Sequence, residues 1–354
     1  MTVMVVGAGL AGLAAAWELK RAGGGADVLV LEGGARPGGV TVTERPDGFV
    51  VEGGPDGFLA AEPDIQDLAG ELGIGDRLVD QLTHGSLLWT GARLEPLAEG
   101  QAAALLGIQG HSDDELDRGF RSFRGGMADI VDALLARLDG VVRADQGVTA
   151  IVPGARGWRV AVTGGSTHEA EGVVLAAPGW VTARFLAAVG VTAGRELDEV
   201  IYYPSVTVSL AYRAEQLTAP LTGTGFVSAW ESGATVRACS YSWLKYPQRA
   251  PRGFALLRAF VGPVDGDPGA LAHAELARIL GIQGAPLWTR AFHWPRGLPR
   301  YKPGHAVRIA HVRGQLARLA PLDIAGAAVD GAGVSACVKS GREAARRVLR
   351  RLDG

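Results

Sequence analysis

Residues 3–23 read VMVVGAGLAGLAAAWELKRAG, a short apolar run that breaks into three glycines and then takes up helical spacing. Val3 to Val6 is expected to be a strand buried on both faces, and Leu10 to Arg21 an alanine-rich helix. Gly7, Gly9 and Gly12 fall at the turn between them. There the amide N–H groups of the helix start, around Leu10 and Ala11, and the helix dipole suit a pyrophosphate. Asp27 to Leu31 reads as a second strand and ends at Glu32, 20 residues after Gly12. An acidic side chain at that place accepts hydrogen bonds from a ribose diol and repels a 2′-phosphate, so NAD or FAD is preferred over NADP.

The remainder of the chain sets the limits within which this unit works. With 354 residues, 47% of them hydrophobic, there is material for two packed cores. The 35 basic and 37 acidic residues are interspersed and leave a net charge of -2, which favours neither nucleic acid nor an anionic membrane. Cys239 and Cys337 stand far apart without Cys-x-x-Cys or His-rich neighbours, so neither a metal site nor a disulfide framework is expected. No apolar run reaches the roughly 18 to 20 residues of a membrane span. No secretory signal is visible, because the apolar opening runs straight into glycines and a helix. A soluble protein in a reducing cytoplasm is the expectation.

Further along, residues 62–80 look helical and 84–97 look like a strand pair turning at Thr90-Gly91. Gly125 to Leu138 reads as a helix, VTAIVPGARGWRVAV (148–162) as a hairpin, and EGVVLAAPGW (171–180) as a buried strand breaking at Pro178. From Pro204 to Gly262 long β-rich segments suggest an antiparallel sheet, crossed by a helix over 268–281. The chain then returns to a strand, a glycine-rich turn and a long helix. The expected class is therefore α/β, a Rossmann-like dinucleotide domain with an inserted β-rich (α+β) domain. Its boundaries are read as 1–80, 120–200 and 300–354 for the discontinuous nucleotide domain, and 81–119 and 201–299 for the other. Five arginines of the last helix, Arg342, Arg346, Arg347, Arg350 and Arg351, are read as its solvated face.

After Glu32 comes GGARPGG (33–39), which resembles the flavin-binding fingerprint of the amine oxidase and protoporphyrinogen/coproporphyrinogen oxidase superfamily. Arg36, Gly38 and Gly39 match its basic residue and paired glycines. VEGGPDGFL (51–59), FRGGM (123–127), TRAFHWPRGLPRYKPGH (289–305) and AGAAVDGAGVSACVKSG (325–341) resemble further segments of the same family. The resemblance implies FAD, held also by Gly53, Gly54 and Pro55, by Val148 at the adenine, by Ala177 beside Pro178, and by Gly326, Gly333 and Val334 near phosphate and ring.

For the substrate side, Arg296, Arg300 and Lys302 are the expected cations and Trp294 and Tyr301 the flat walls. No catalytic acid, base or nucleophile is singled out, and His293 and His305 are read as structural. The resemblance implies dehydrogenation of a porphyrinogen-like, pyrrole-containing or other cyclic substrate by hydride transfer to FAD, with reoxidation by dioxygen. A flavin amine oxidase or desaturase is the enzymatic alternative, and a catalytically silent flavin-binding subunit the other. The family's long capping segment is shortened here to Leu97–Ser122, and the basic residue expected before the strand pair is replaced by His84, Gly85 and Ser86. A homodimer or a partner subunit covering the site would compensate.

Overall fold

The computed structural model describes residues 1–97, 101–105, 112–262 and 264–354. Five parallel strands form one sheet, in spatial order Val142–Arg143, Asp27–Leu31, Thr2–Val6, Gly172–Leu175 and Leu322–Ile324. Because side chains alternate across a strand, Val3 and Val5 enter one core and Met4 and Val6 the other. On one side pack the helices Leu10–Ala22, Asp64–Leu72, Ala128–Arg137 and Val334–Leu352. The last helix lies against the first so closely that a β-carbon at Gly341 would stand 2.0 Å from the Ala11 carbonyl oxygen. On the other side lie the helices Gly179–Ala188 and His305–Leu316 and the meander Val148–Gly154, Gly157–Val162 and Thr167–Ala170.

A second sheet of seven strands runs in the order Trp288–Trp294, Ser205–Arg213, Phe254–Val261, Val236–Tyr241, Gly225–Ser228, Ser86–Trp89 and Leu94–Leu97. Every pairing is antiparallel except that of Gly225–Ser228 with Ser86–Trp89. Val208, Leu210 and Tyr212 face the helix Pro268–Leu280, whereas Ala211 and Leu256 pack against Phe49 and Val51. This second face is the one turned toward the Gly53–Gly54 turn, whose Gly53 carbonyl accepts from Thr207. Part of the shortened stretch between Leu97 and Ser122 lies outside the described residues. Among those described, no helix is long and apolar enough to cross a membrane.

Three expectations need correction. The helix expected over 62–80 is Asp64–Leu72 only, because Gly73 takes φ 78° and ends it, and Leu78–Asp80 pairs as a strand with Phe120–Phe123. The helix expected from Gly125 begins at Ala128, since Gly126 turns at φ 103°. The arginines of the last helix are not simply its wet face. Arg342 is 7% exposed and donates to Glu18 at 3.0 Å and Glu71 at 2.7 Å, while Arg346 also reaches Glu18 and Arg347 reaches Asp323. Packing against the first helix creates this, because Glu18 is 1% exposed there and a buried carboxylate requires cations.

Burial alone would raise the Glu18 carboxyl, but hydrogen bonds from Arg346 and Arg21 and the charge of Arg342 outweigh it and hold the group below its ordinary 4.5. A lowered folded-state value stabilises the protein above that pH and ceases to do so as pH falls through it. Glu18→Gln should therefore cost about 3 kcal/mol at neutral pH. In denaturant titrations the gap from wild type should close as pH is lowered from 6 toward 3, and a gap that is constant with pH would contradict the assignment.

Candidate functional site

The strands Thr2–Val6 and Gly172–Leu175 end side by side, Val6 opposite Leu175, and the carboxyl ends of such a parallel sheet are where a ligand cleft is expected. Gly7 turns there at φ 100°, with a β-carbon position 2.7 Å from the Ala176 carbonyl oxygen. At Gly12 a β-carbon would stand 1.9 Å from the Gly7 carbonyl oxygen, so the helix can lie on the strand only because position 12 is glycine. Gly9 differs. A β-carbon added to it meets nothing within 4 Å, and its φ of -68° and ψ of 175° suit any residue. Protein packing therefore gives no reason for glycine at 9, whereas a ligand occupying that space does.

Gly9 also precedes the first helix without a side-chain cap, and the first turn, beginning at Leu10 and Ala11, carries no acidic residue. Its amide donors thus face the same space. The Ala8 and Gly34 amides donate to the two oxygens of Glu32 at 2.7 and 2.8 Å, which fixes the carboxylate and leaves lone pairs for a diol. The Ala8 carbonyl accepts from the Gly38 amide at 2.7 Å, and Gly9 and Gly38 form a parallel bridge. The structure shows Arg36 clamping this loop, since its guanidinium donates to the carbonyls of Pro37, Gly39 and Thr41. Val148 opens the hairpin next to Gly147, whose α-carbon lies 3.4 Å from the β-carbon position of Gly33, at the Glu32 end of the cleft. Ala177 and Pro178 lead from the neighbouring strand into the helix Gly179–Ala188.

The C-terminal turn comes to the same place. Gly326 has its β-carbon position 3.7 Å from Ala11, and its amide donates to Ser340, which donates to Asp330. Arg313 grips Asp330 with two bonds of 2.7 and 2.9 Å. Gly333 opens the last helix at Val334 without a side-chain cap, but Glu62 places a carboxylate oxygen 3.6 Å from its β-carbon position. The first helix is thus the better seat for a phosphate. The donor set, the open space over Gly9 and the pinned diol acceptor fit a dinucleotide.

Gly53, Gly54 and Pro55 stand between this cleft and the large sheet. A β-carbon at Gly54 would lie 1.8 Å from the Val40 carbonyl oxygen, and one at Gly53 2.5 Å from the Phe292 ring. Behind them is a cluster that the sequence did not announce, because its members are scattered over some two hundred positions. Lys245 is 3.1 Å from Asp56, and Arg249 is 3.5 Å from Glu52, with Arg258 between the sheet and Gly54. Burial alone would raise the Asp56 carboxyl, but Lys245, Arg258 and Arg249 bring it to about 2. Three cations against two carboxylates leave positive charge behind the Gly53–Pro55 turn.

The residues expected on the substrate side are spread along one wall. Trp294 donates to the Gly53 carbonyl at 2.9 Å. Tyr301 donates to the Ala327 carbonyl and stacks on His305 at 4.5 Å. Burial lowers the His305 imidazole, which bonds the Val329 carbonyl through Nε2 at 3.1 Å, as a structural neutral ring does. Arg300 is half-buried in the short strand Pro299–Arg300, paired with Ile201–Tyr202. Arg296 lies 4.2 Å over the ring of Trp180, whose edge meets Tyr202 at 4.8 Å. Trp180 was not foreseen, and its only signal is its place in the first helical turn after Pro178.

Gly9 and Gly12 separate the two uses of glycine. Gly9→Ala should leave the melting temperature of the protein stripped of nucleotide unchanged and weaken dinucleotide binding at least tenfold. Gly12→Ala should destabilise the stripped protein itself by about 2 kcal/mol or more, the cost of overpacking. Thermal melts and nucleotide titrations of both variants read this, and equal behaviour of the two would contradict it.

Comparison with known proteins agrees with this geometry. Residues 5–72 match the NAD(P)-binding Rossmann-like domain, and residues 80–349 match the flavin containing amine oxidoreductase family. The chain is 29% identical over 195 residues to coproporphyrinogen III oxidase of Bacillus subtilis, covering 52% of this chain and 41% of that protein. With the same enzyme of Mycobacterium bovis it is 26% identical, covering 99% of this chain and 97% of that one. The chain spans about half the length of the coproporphyrinogen III oxidases of Bacillus subtilis, Staphylococcus aureus and Propionibacterium freudenreichii that it matches. In fold it matches a protein from Exiguobacterium sp. 255-15 described as a putative protoporphyrinogen oxidase, at a TM-score of 0.86, with 24% identity over 100% of this chain and 99% of the other. It also matches cyclohexylamine oxidase from Brevibacterium oxydans at 0.79, with 14% identity over 100% and 99%. The chain belongs to the flavin containing amine oxidoreductase family, and its cofactor is FAD.

Proposed function

We propose that this protein is an FAD-dependent oxidoreductase that dehydrogenates a flat, cyclic, anionic substrate of the porphyrinogen class. The observation that carries the reading is the wall beside the cofactor cleft. Arg296 rests on Trp180, and Trp180 meets Tyr202, which accepts from the Gly179 amide at the head of the cleft. When bound, FAD supplies a two-electron acceptor that dioxygen returns to its oxidised state with release of hydrogen peroxide.

The chain's own residues bind and orient. Glu32 and the amides after Gly9 would hold ribose and pyrophosphate, while Gly53, Gly54 and the Gly326–Val334 turn would bracket the ring. Trp180 and Tyr301 offer flat surfaces to a macrocycle, and Arg296 and Arg300 offer charge to its carboxylates. The coproporphyrinogen oxidase relatives support the same substrate class. An amine oxidase is the second reading, favoured by the family match and by the fold shared with cyclohexylamine oxidase. Against it stands the positive charge of this wall, which repels a protonated amine.

Anaerobic mixing of the FAD-loaded protein with coproporphyrinogen, protoporphyrinogen or a cyclic amine tests the reading through loss of flavin absorbance. A porphyrinogen should bleach the flavin. Arg296→Gln should raise KM for the carboxylated substrate about tenfold, or 1.4 kcal/mol, with kcat little changed. Bleaching by the amine alone would establish the second reading, and no bleaching with FAD still bound would mark a silent flavin subunit.

A further inference from the structure

The peptide joining Gly53 to Gly54 is where the large sheet touches the cofactor loops, and three sheet residues hold it. The Gly53 carbonyl accepts from Thr207 Oγ1 and from Trp294 Nε1, both at 2.9 Å. The Gly54 carbonyl accepts from the buried Arg258 guanidinium. The Gly53 amide is already taken by the Val42 carbonyl at 2.8 Å, and Pro55 has none. In a planar trans peptide the Gly54 N–H points opposite to the Gly53 carbonyl, so it is directed away from the sheet. It donates to no protein group among the described residues, although Gly54 is partly buried. A half-buried amide without a protein acceptor calls for one on a ligand.

We infer that the Gly54 N–H donates to the flavin ring, and that Thr207 and Trp294 are positioning residues that set the direction and strength of this bond. The inference rests on the proposed FAD site and goes beyond it. Two donors on one carbonyl polarise the peptide and strengthen its N–H as a donor. They also fix its orientation before the cofactor arrives, so that no reorganisation is needed as charge develops. An acceptor atom of the ring gains electron density on reduction, so the bond stabilises the reduced form more than the oxidised one. Through this peptide the large sheet would tune how readily the flavin is reduced.

The test compares wild type with Thr207→Val, Thr207→Ser and Trp294→Phe at full FAD occupancy, reading the absorption bands of the bound flavin and its midpoint potential against a redox dye. Thr207→Val and Trp294→Phe should each lower the ratio of reduced to oxidised flavin at a fixed potential by up to tenfold, a negative shift of up to about 30 mV for a two-electron couple. Both should also displace the absorption bands. Thr207→Ser keeps the hydroxyl and should restore the wild-type values. Unchanged potential and spectrum in Thr207→Val would overturn the inference while leaving the FAD site intact, as would a shift that Thr207→Ser shares. Wild-type protein that takes up no flavin would instead defeat the FAD site itself, and the inference with it. If Trp294→Phe does not fold, the Thr207 pair decides alone.

Discussion

The carbonyl oxygen of Gly7 lies 1.9 Å from the point where any side chain at position 12 would begin. The first helix can rest on the first strand only with glycine at that point, and everything in the cleft follows from this approach. It brings the Ala8 amide to Glu32 and the Ala8 carbonyl to Gly38, so the Glu32 carboxylate and the second glycine loop are both set by one close approach. It also leaves the helix amides open over Gly9. A second close approach, Gly341 on Ala11, brings the last helix onto the first and carries the Gly326 turn to the same cleft. Residues from both ends of the chain thus share one site through backbone contacts that only glycine allows.

Charge is distributed unevenly around this frame. Two clusters stand out, one with Glu18 and Arg342 between the first and last helices, the other with Glu52, Asp56, Lys245, Arg249 and Arg258 under the large sheet. In the first, Arg21, Arg342 and Arg346 face Glu18 and Glu71, but Arg21 and Arg346 are half-exposed and their charge is screened by solvent. The second holds more cations than carboxylates and stands directly behind the Gly53–Pro55 turn. Such a surplus is costly in a buried place unless negative charge comes near it, and a ring that gains electrons is one source of that charge.

The opening β-α-β unit was legible because its signals are local: an apolar run, three glycines at fixed spacing and an acidic residue at the end of the next strand. The C-terminal turn and helix were legible for the same reason. The arginines of that helix were misplaced because their environment is set by Glu18, 324 positions away for Arg342, which no periodicity reveals. The strand Trp288–Trp294 has no expected element, since its sequence WTRAFHW lacks the polar–apolar alternation of a half-buried strand. Trp294 was placed on the substrate side without its bond to Gly53, which spans 241 positions. For Trp180 the sequence offers only its place in the first turn after Pro178, and its contacts with Tyr202 and Arg296 span more than twenty and more than a hundred positions.

The central claim is that the loops at Gly9, Glu32, Gly38, Gly53 and Gly326 serve one dinucleotide. Calorimetric titration of the protein, stripped of bound nucleotide, with FAD, FMN and NAD tests it most directly. The account predicts one FAD bound per chain, released intact on denaturation, with FMN and NAD binding far more weakly. Binding of FMN as tightly as FAD would contradict it, because then neither Glu32 nor the amides over Gly9 would be holding the adenosine half.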